Sequence, residues 1–279
     1  MKIFFKLLLC FLVLSVIPVQ AKSVKFAVVS DIDYSPTFNK KSAEYTDGAK
    51  ILKGFVDRTY ENKYDFIVFL GDNISKSKKH FFNGFLELAS QVDAPYYLVM
   101  GDKDVHKISG LSKTEYLDIV SSKNKYQKNK DASYSFAVTK DIVAIVLDGV
   151  SSGMPSTHGV FTKKTLQWLD TTLENNKNKK VVIFQHVPYV EPFDKPSYSM
   201  LDKQEYIAVL NRHRNILLVV SGHYGQSYVV KDEKGVYHVS VPALNKAPYY
   251  YNEIQIVYDK KPFKKAKNFQ IDGAIKPAI

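Results

Sequence analysis

Five short polar segments of this sequence could do chemistry together: Asp31-Ile32-Asp33, Gly71-Asp72, Gly101-Asp102-Lys103-Asp104, His186 and Gly222-His223. Each follows an apolar run, so each stands where a buried strand would end. In open α/β sheets, ligands bind outside the C-terminal ends of the strands. Five such ends converging on one crevice would gather Asp31, Asp33, Asp72 and Asp102 with His186 and His223. Carboxylates withdrawn from water stay ionised only beside a counter-charge, which predicts a divalent cofactor ion, one or two. A mixed oxygen and nitrogen donor set suits Mn, Fe, Zn or Mg rather than a soft-metal site. Taken singly, an aspartate after a strand reads as a turn or cap residue, and a lone histidine reads as structural. Five in order, each ending an apolar run, read as one site.

The hydrophobic pattern supplies the elements that must position these residues. Val24 to Ser30, Asp65 to Leu70, Tyr96 to Met100, Ile142 to Leu147, Lys180 to Gln185 and Ile216 to Ser221 are short runs rich in β-branched and aromatic residues. They are too short for helices and predict buried strands. Between them, Ala43 to Tyr60, Lys79 to Val92 and Thr162 to Glu174 repeat their apolar residues at helical spacing, the last after an N-cap at Thr162. Alternating strands and helices indicate an α/β fold with a covered sheet. Two hairpins, Ser133 to Val138 with Ile142 to Leu147 and Gln226 to Val230 with Val236 to Val241, point to a mixed sheet or two sheets. The lysine-rich stretches Ser121 to Lys130 and Lys260 to Lys267 read as solvated loops.

The N-terminal residues 1–21 have the three parts of an export signal: Lys2 and Lys6, the apolar run Leu7 to Ile17, and an exit at Val19-Gln20-Ala21. The run is shorter than the ~20 residues that span a bilayer. Cleavage after Ala21 is expected, leaving residues 22–279 as a single domain with no stable membrane span, in the periplasm, outside the cell or on its surface. Loss of Lys2 and Lys6 lowers the formal net charge from +11 to +9 and takes away the only cysteine, Cys10. A chain without thiols suits an oxidising compartment. The basic balance favours anionic partners, but the lysines are scattered among Asn and Ser and form no nucleic-acid docking motif.

The order of the motifs resembles that of the calcineurin-like metallophosphoesterases, whose strands end in DxH, GD, GNHD, a lone His and GHxH. The resemblance runs from Val24 to Tyr258 and includes Leu166-Gln167-Trp168-Leu169 before the histidine strand. It implies two mixed β-sheets packed face to face and flanked by helices. It also implies two metal positions. The first would hold Asp31, Asp33 and Asp72, with Asp33 standing for His and Gly225 for a lost His. The second would hold Asp72, Asp102, His186 and His223, with Asp102 standing for Asn. Lys103 occupies the place of the family's catalytic histidine and Asp104 that of its orienting aspartate, so these two are the expected catalytic residues. His106, nearby, could substitute as a proton donor, but a lone loop histidine reads first as a surface residue. The implied activity is hydrolysis of a phosphomonoester or phosphodiester, with a metal-activated hydroxide attacking a phosphorylated small molecule or other anionic substrate. The departures leave an alternative: an impaired relative that keeps the fold and serves as an extracytoplasmic binding module.

Overall fold

A computed structural model describes residues 22–36, 48–106, 108–151, 156–190, 198–260 and 267–279. The predicted export signal and the expected helix start at Ala43 lie outside the described residues. The first half of the chain forms β1 (Lys22–Val29), α1 (Gly48–Asn62), β2 (Phe66–Phe69), α2 (Lys79–Ala89), β3 (Tyr96–Leu98), α3 (Lys113–Lys123), β4 (Tyr134–Ala137) and β5 (Ile142–Leu147). The second half adds α4 (Lys163–Asn175), β6 (Lys180–Gln185), α5 (Lys203–Arg212), β7 (Ile216–Ser221), β8 (Tyr228–Lys231), β9 (Tyr237–Ser240), β10 (Tyr250–Lys260) and β11 (Lys267–Pro277).

Two mixed sheets result, ordered β11-β10-β1-β2-β3 and β4-β5-β6-β7-β9-β8. Side chains alternate across a strand, and β1 uses both faces. Val24, Phe26 and Val28 pack inward against Ala144, Phe184, Leu218 and Val220 of the other sheet. Ala27 and Val29 face outward onto Leu52 and Phe55 of α1 and Phe85 of α2. The second sheet does the same, presenting Val143, Ile145 and Ile183 to Leu166, Leu169 and Leu173 of α4 and to Tyr206 and Val209 of α5. The fold is thus helix, sheet, sheet, helix, as the resemblance implied. At the centre, Phe26 stacks on Phe66 at 4.6 Å between ring centroids and meets Phe184 edge-on at 5.8 Å. Burying each such ring contributes on the order of 1.5–3 kcal/mol.

The predicted N-cap of α4 is present: the Thr162 hydroxyl accepts the Thr165 N–H at 3.1 Å. The pairing of β10 with β11 was not expected. They form an antiparallel hairpin from Tyr250↔Pro277 to Lys260↔Lys267, so Lys260 and Lys267, read as loop, are strand residues. Helices α3 and α5 were not expected either. The only buried residues of α3 are Tyr116 and Val120, too few for an apolar stripe, and its start is set by a capping box between Ser112 and Glu115. Among the described residues no helix is long and apolar enough to cross a membrane.

Candidate metal centre

Strands β1, β2 and β3 are parallel, as are β6 and β7. Each set therefore ends on one side of its sheet, and the polar segments that follow them meet. Backbone hydrogen bonds knit the loops: the N–H groups of Asp31 and Asp33 donate to the carbonyls of Gly71 and Asp72, and that of Gly222 to His186. Asp31, Asp33, Asp72 and His223 have φ of 52°, 49°, 51° and 66°. For a non-glycine residue that left-handed conformation costs on the order of 1–2 kcal/mol, and such strain concentrates at functional sites. Two glycines permit the close approach. A Cβ on Gly101 would lie 2.0 Å from the Asp72 nitrogen, and one on Gly222 would lie 1.8 Å from Ser30 Oγ.

Asp72, Asp102, His186 and His223 each offer one ligand atom, and all four atoms lie within 4.8 Å of one another. His186 Nδ1 is 2.8 Å from the Leu70 carbonyl and His223 Nε2 is 2.7 Å from the Thr157 carbonyl. A carbonyl only accepts, so those two nitrogens carry the hydrogens. The opposite nitrogens, His186 Nε2 and His223 Nδ1, therefore face the carboxylates, each able to carry a proton there or to give its lone pair to a metal. Asp102 Oδ1 is buried without a hydrogen bond, 3.3 Å from His186 Nε2 and 3.2 Å from His223 Nδ1. Two carboxylates and two ring nitrogens converging in a buried pocket require positive charge among them, a proton or a metal ion, and two imidazoles with two carboxylates suit a divalent transition metal.

In the chain alone, protons on the rings take the place of that cation. Burial opposes the charge on Asp72, but His186 holds its pKa below the ordinary carboxylate value. Asp102 is also lowered against the effect of burial, by hydrogen bonds from His186 and His223. His186 is raised well above the ordinary imidazole value although burial lowers it, because Asp72 and Asp102 press on it.

The other metal position differs. Lys103 Nζ lies 2.9 Å from both carboxylate oxygens of Asp33 and 3.0 Å from Asp72 Oδ2. The Lys103 backbone N–H donates to Asp72 Oδ1 at 3.0 Å. Burial works against the ammonium, but Asp72, Asp33 and Asp31 raise its pKa and keep it charged. Three carboxylates facing one ammonium do not balance, and the surplus falls on Asp33. Burial pushes its pKa up to about 7, Lys103 pulls it back, and Asp72 and Asp31 push it further up. Asp33 Oδ2 also accepts from Asn245 Nδ2 at 2.6 Å. Asp31 Oδ2 is taken up by the Ser30 hydroxyl at 2.6 Å and the His223 N–H at 3.0 Å. A divalent ion ~3 Å from the Lys103 ammonium would be repelled by on the order of 10 kcal/mol at an effective dielectric of ~20.

Asp104 does not orient Lys103. It is fully buried and accepts from the N–H groups of Asn73 at 2.8 Å, Ile74 at 3.1 Å and Gly101 at 2.9 Å, and from Asn73 Nδ2 at 2.9 Å. Burial and Asp72 push its pKa up to about 7, against the Gly101 and Ile74 donors. The turn at Gly101 sets Asp104 against the loop of Asn73 and Ile74. His106 is also occupied locally, its Nδ1 accepting the N–H of Ser109 at 3.2 Å. The residue that the sequence reading missed is Asn245. It lies beyond β9, whose C-terminal end is one more parallel strand end beside β7, and the Asn245 N–H donates to the Asp31 carbonyl.

Among known proteins, a manganese-dependent ADP-ribose/CDP-alcohol diphosphatase of Arabidopsis thaliana is 22% identical, over 85% of this chain and 91% of its own. A Danio rerio protein of the same description is 28% identical over 33% of this chain, a stretch that is 29% of the relative's length. The fold is shared with a dimetal phosphatase from Danio rerio at a TM-score of 0.67 and 15% identity, covering 84% of this chain and 95% of that one. The signature of the calcineurin-like phosphoesterases matches residues 24–226. That stretch contains the strand ends from Asp31 to His223, and on it the chain belongs to the calcineurin-like phosphoesterase family.

Proposed function

We propose that this protein is an exported, metal-dependent phosphoesterase acting on a phosphomonoester or phosphodiester of a small phosphorylated molecule. The observation that carries the reading is the pair of carbonyl-anchored rings, which aim His186 Nε2 and His223 Nδ1 at the carboxylates of Asp72 and Asp102. A divalent ion bound there supplies Lewis acidity and lowers the pKa of water toward roughly 7. Asp72 and Asp102 would balance the ion's charge, and His186 and His223 would hold it from rings anchored on backbone carbonyls. Lys103, whose side chain is 42% exposed, offers a fixed positive charge to a phosphoryl oxygen. The descriptions of the relatives make Mn and pyrophosphate-linked nucleotides the first metal and substrates to try.

The test is to purify the protein, measure its bound metal, and assay phosphomonoester, phosphodiester and dinucleotide-type substrates with Mn, Mg and Zn. Turnover that depends on added metal is expected. A protein that binds metal but turns over nothing overturns the enzyme reading and leaves a binding module. That second reading is favoured by one observation, the ion pairs of Lys103 with Asp33 and Asp72, which occupy residues of the first metal position. Export is read from residues 1–21 and has its own test. Expression of the full chain, cell fractionation and N-terminal sequencing should yield an exported form beginning at Lys22, whereas an uncleaved protein retained inside the cell would overturn it.

A further inference from the structure

We infer that the protein has a one-metal centre in which the Lys103 ammonium stands permanently in the first metal position. The inference rests on the metal-centre reading of Asp72, Asp102, His186 and His223 and goes beyond it by assigning the other half of the site. Three observations carry it independently of any titration.

The first is geometric. Asp72 uses both of its oxygens: Oδ1 lies 3.3 Å from His186 Nε2, on the side of the four-residue cluster, and Oδ2 lies 3.0 Å from Lys103 Nζ. A carboxylate that would otherwise bridge two ions here bridges one ion position and one ammonium. Lys103 is fixed at both ends of the residue, because its own N–H donates to Asp72 Oδ1.

The second is charge. Asp33 is a carboxylate where the resemblance calls for a neutral imidazole, and Lys103 is a cation where it calls for another. The two changes compensate each other in a direct contact, with both Asp33 oxygens 2.9 Å from Nζ. Asn245 Nδ2 donates to the same carboxylate at 2.6 Å, so Asp33 is filled by donors and has little coordinating capacity left.

The third is the missing side chain. Gly225, where the first metal would have its second histidine, has a positive φ of 67°, and a Cβ there would sit 3.4 Å from Lys246 Nζ. A second amine therefore borders the ground from which a ligand is lost. All these features remove a metal from the first position, and none removes one from the second. A +1 charge held by the chain cannot be stripped by a chelator, and it keeps Asp72 turned correctly at any metal concentration.

The experiment counts metal rather than turnover. Wild-type protein and Lys103→Met are saturated with Mn, and the bound metal is measured by elemental analysis and native mass spectrometry. A single equivalent is expected in the wild type, with an uncoupled single-ion electron paramagnetic resonance spectrum. In Lys103→Met, with Asp31, Asp33 and Asp72 relieved of the ammonium, a second equivalent and an exchange-coupled pair are expected. Lys103→Arg keeps the cation and should keep the single equivalent. If Lys103→Met does not fold, the wild-type count and spectrum still decide. A wild type with two equivalents or a coupled spectrum overturns the inference, and so does a folded Lys103→Met that still holds one. A wild type with no metal overturns the metal-centre reading and this inference together. A single bound equivalent without phosphoester turnover leaves the inference standing and removes only the proposed activity.

Discussion

His186 Nε2 and His223 Nδ1 face each other at 3.2 Å, each with its other ring nitrogen tied to a backbone carbonyl. So close an approach of two ring nitrogens needs positive charge between them, a proton or a metal ion. The contact therefore marks His186 and His223 as a pair whose loss should be felt in metal affinity. His186→Ala and His223→Ala should each weaken Mn binding by more than the ~10–100-fold that loss of an outer-shell partner costs, and each should abolish metal-dependent turnover. Calorimetric titration with Mn checks it. Wild-type affinity in either variant would mean that the ion binds elsewhere.

Asp102→Asn restores the amide that the resemblance implies at this position. The exchange keeps an oxygen donor and removes one negative charge beside the buried, unpaired position of Asp102 Oδ1. Affinity for a divalent ion should fall, because carboxylate count tunes it, yet the ion should still bind because Asp72, His186 and His223 remain. Titration of wild type and variant with Mn in parallel tests this, and a tighter-binding variant would contradict the role given to the carboxylate.

The strand ends were legible because parallel strands buried on both faces read as continuous apolar runs with abrupt polar ends. Phe66–Phe69, all buried and followed by Gly71-Asp72, is the clearest case. The partner of Lys103 was not legible. Sequence adjacency suggests Asp102 or Asp104, but neighbouring side chains diverge at a turn, and the partner found is Asp33, 70 residues away. Asn245 was hidden for a related reason: β9 reads as half of a hairpin with β8, so its end was not counted among the strand ends, although it also pairs in parallel with β7. Helix α3 escaped because it buries two residues only, and propensity with a capping box gives a weaker sequence signal than an apolar stripe.

Asp104 is expected to act through the fold. Its carboxylate ties Asn73, Ile74 and Gly101, which flank Asp72 and Asp102 in the chain. A hydrogen bond contributes about 0.5–1.5 kcal/mol net, and each donor left unpaired inside the protein costs about 1–3 kcal/mol. Asp104→Ala should therefore lower stability by on the order of 3 kcal/mol or more, a large part of a typical 5–15 kcal/mol total. Urea unfolding measures it. Normal stability with lost turnover would assign Asp104 to the chemistry instead.

His238 gives a pH dependence whose sign can be worked out. It is buried on β9, its Nε2 lies 3.1 Å from Asp232 Oδ2 and 3.2 Å from the Tyr189 hydroxyl, and its Nδ1 has no hydrogen-bond partner. Burial lowers its pKa below the ordinary imidazole value, with Asp232 pulling the other way. In the unfolded chain it takes up its proton near pH ~6.5, and in the folded protein only at lower pH. Between those two points the unfolded state binds more protons, so stability falls as pH falls. The contribution of neutral His238 is fully present above pH ~6.5 and is lost as pH drops through ~6.5 toward the folded value. His186 is shifted the opposite way and contributes most at low pH, but it is common to wild type and to His238→Gln. The difference between the two proteins therefore isolates His238. Thermal melts from pH ~7.5 down to ~5.5 should show the wild type losing stability faster than His238→Gln, and parallel curves would mean that His238 does not stay neutral in the fold.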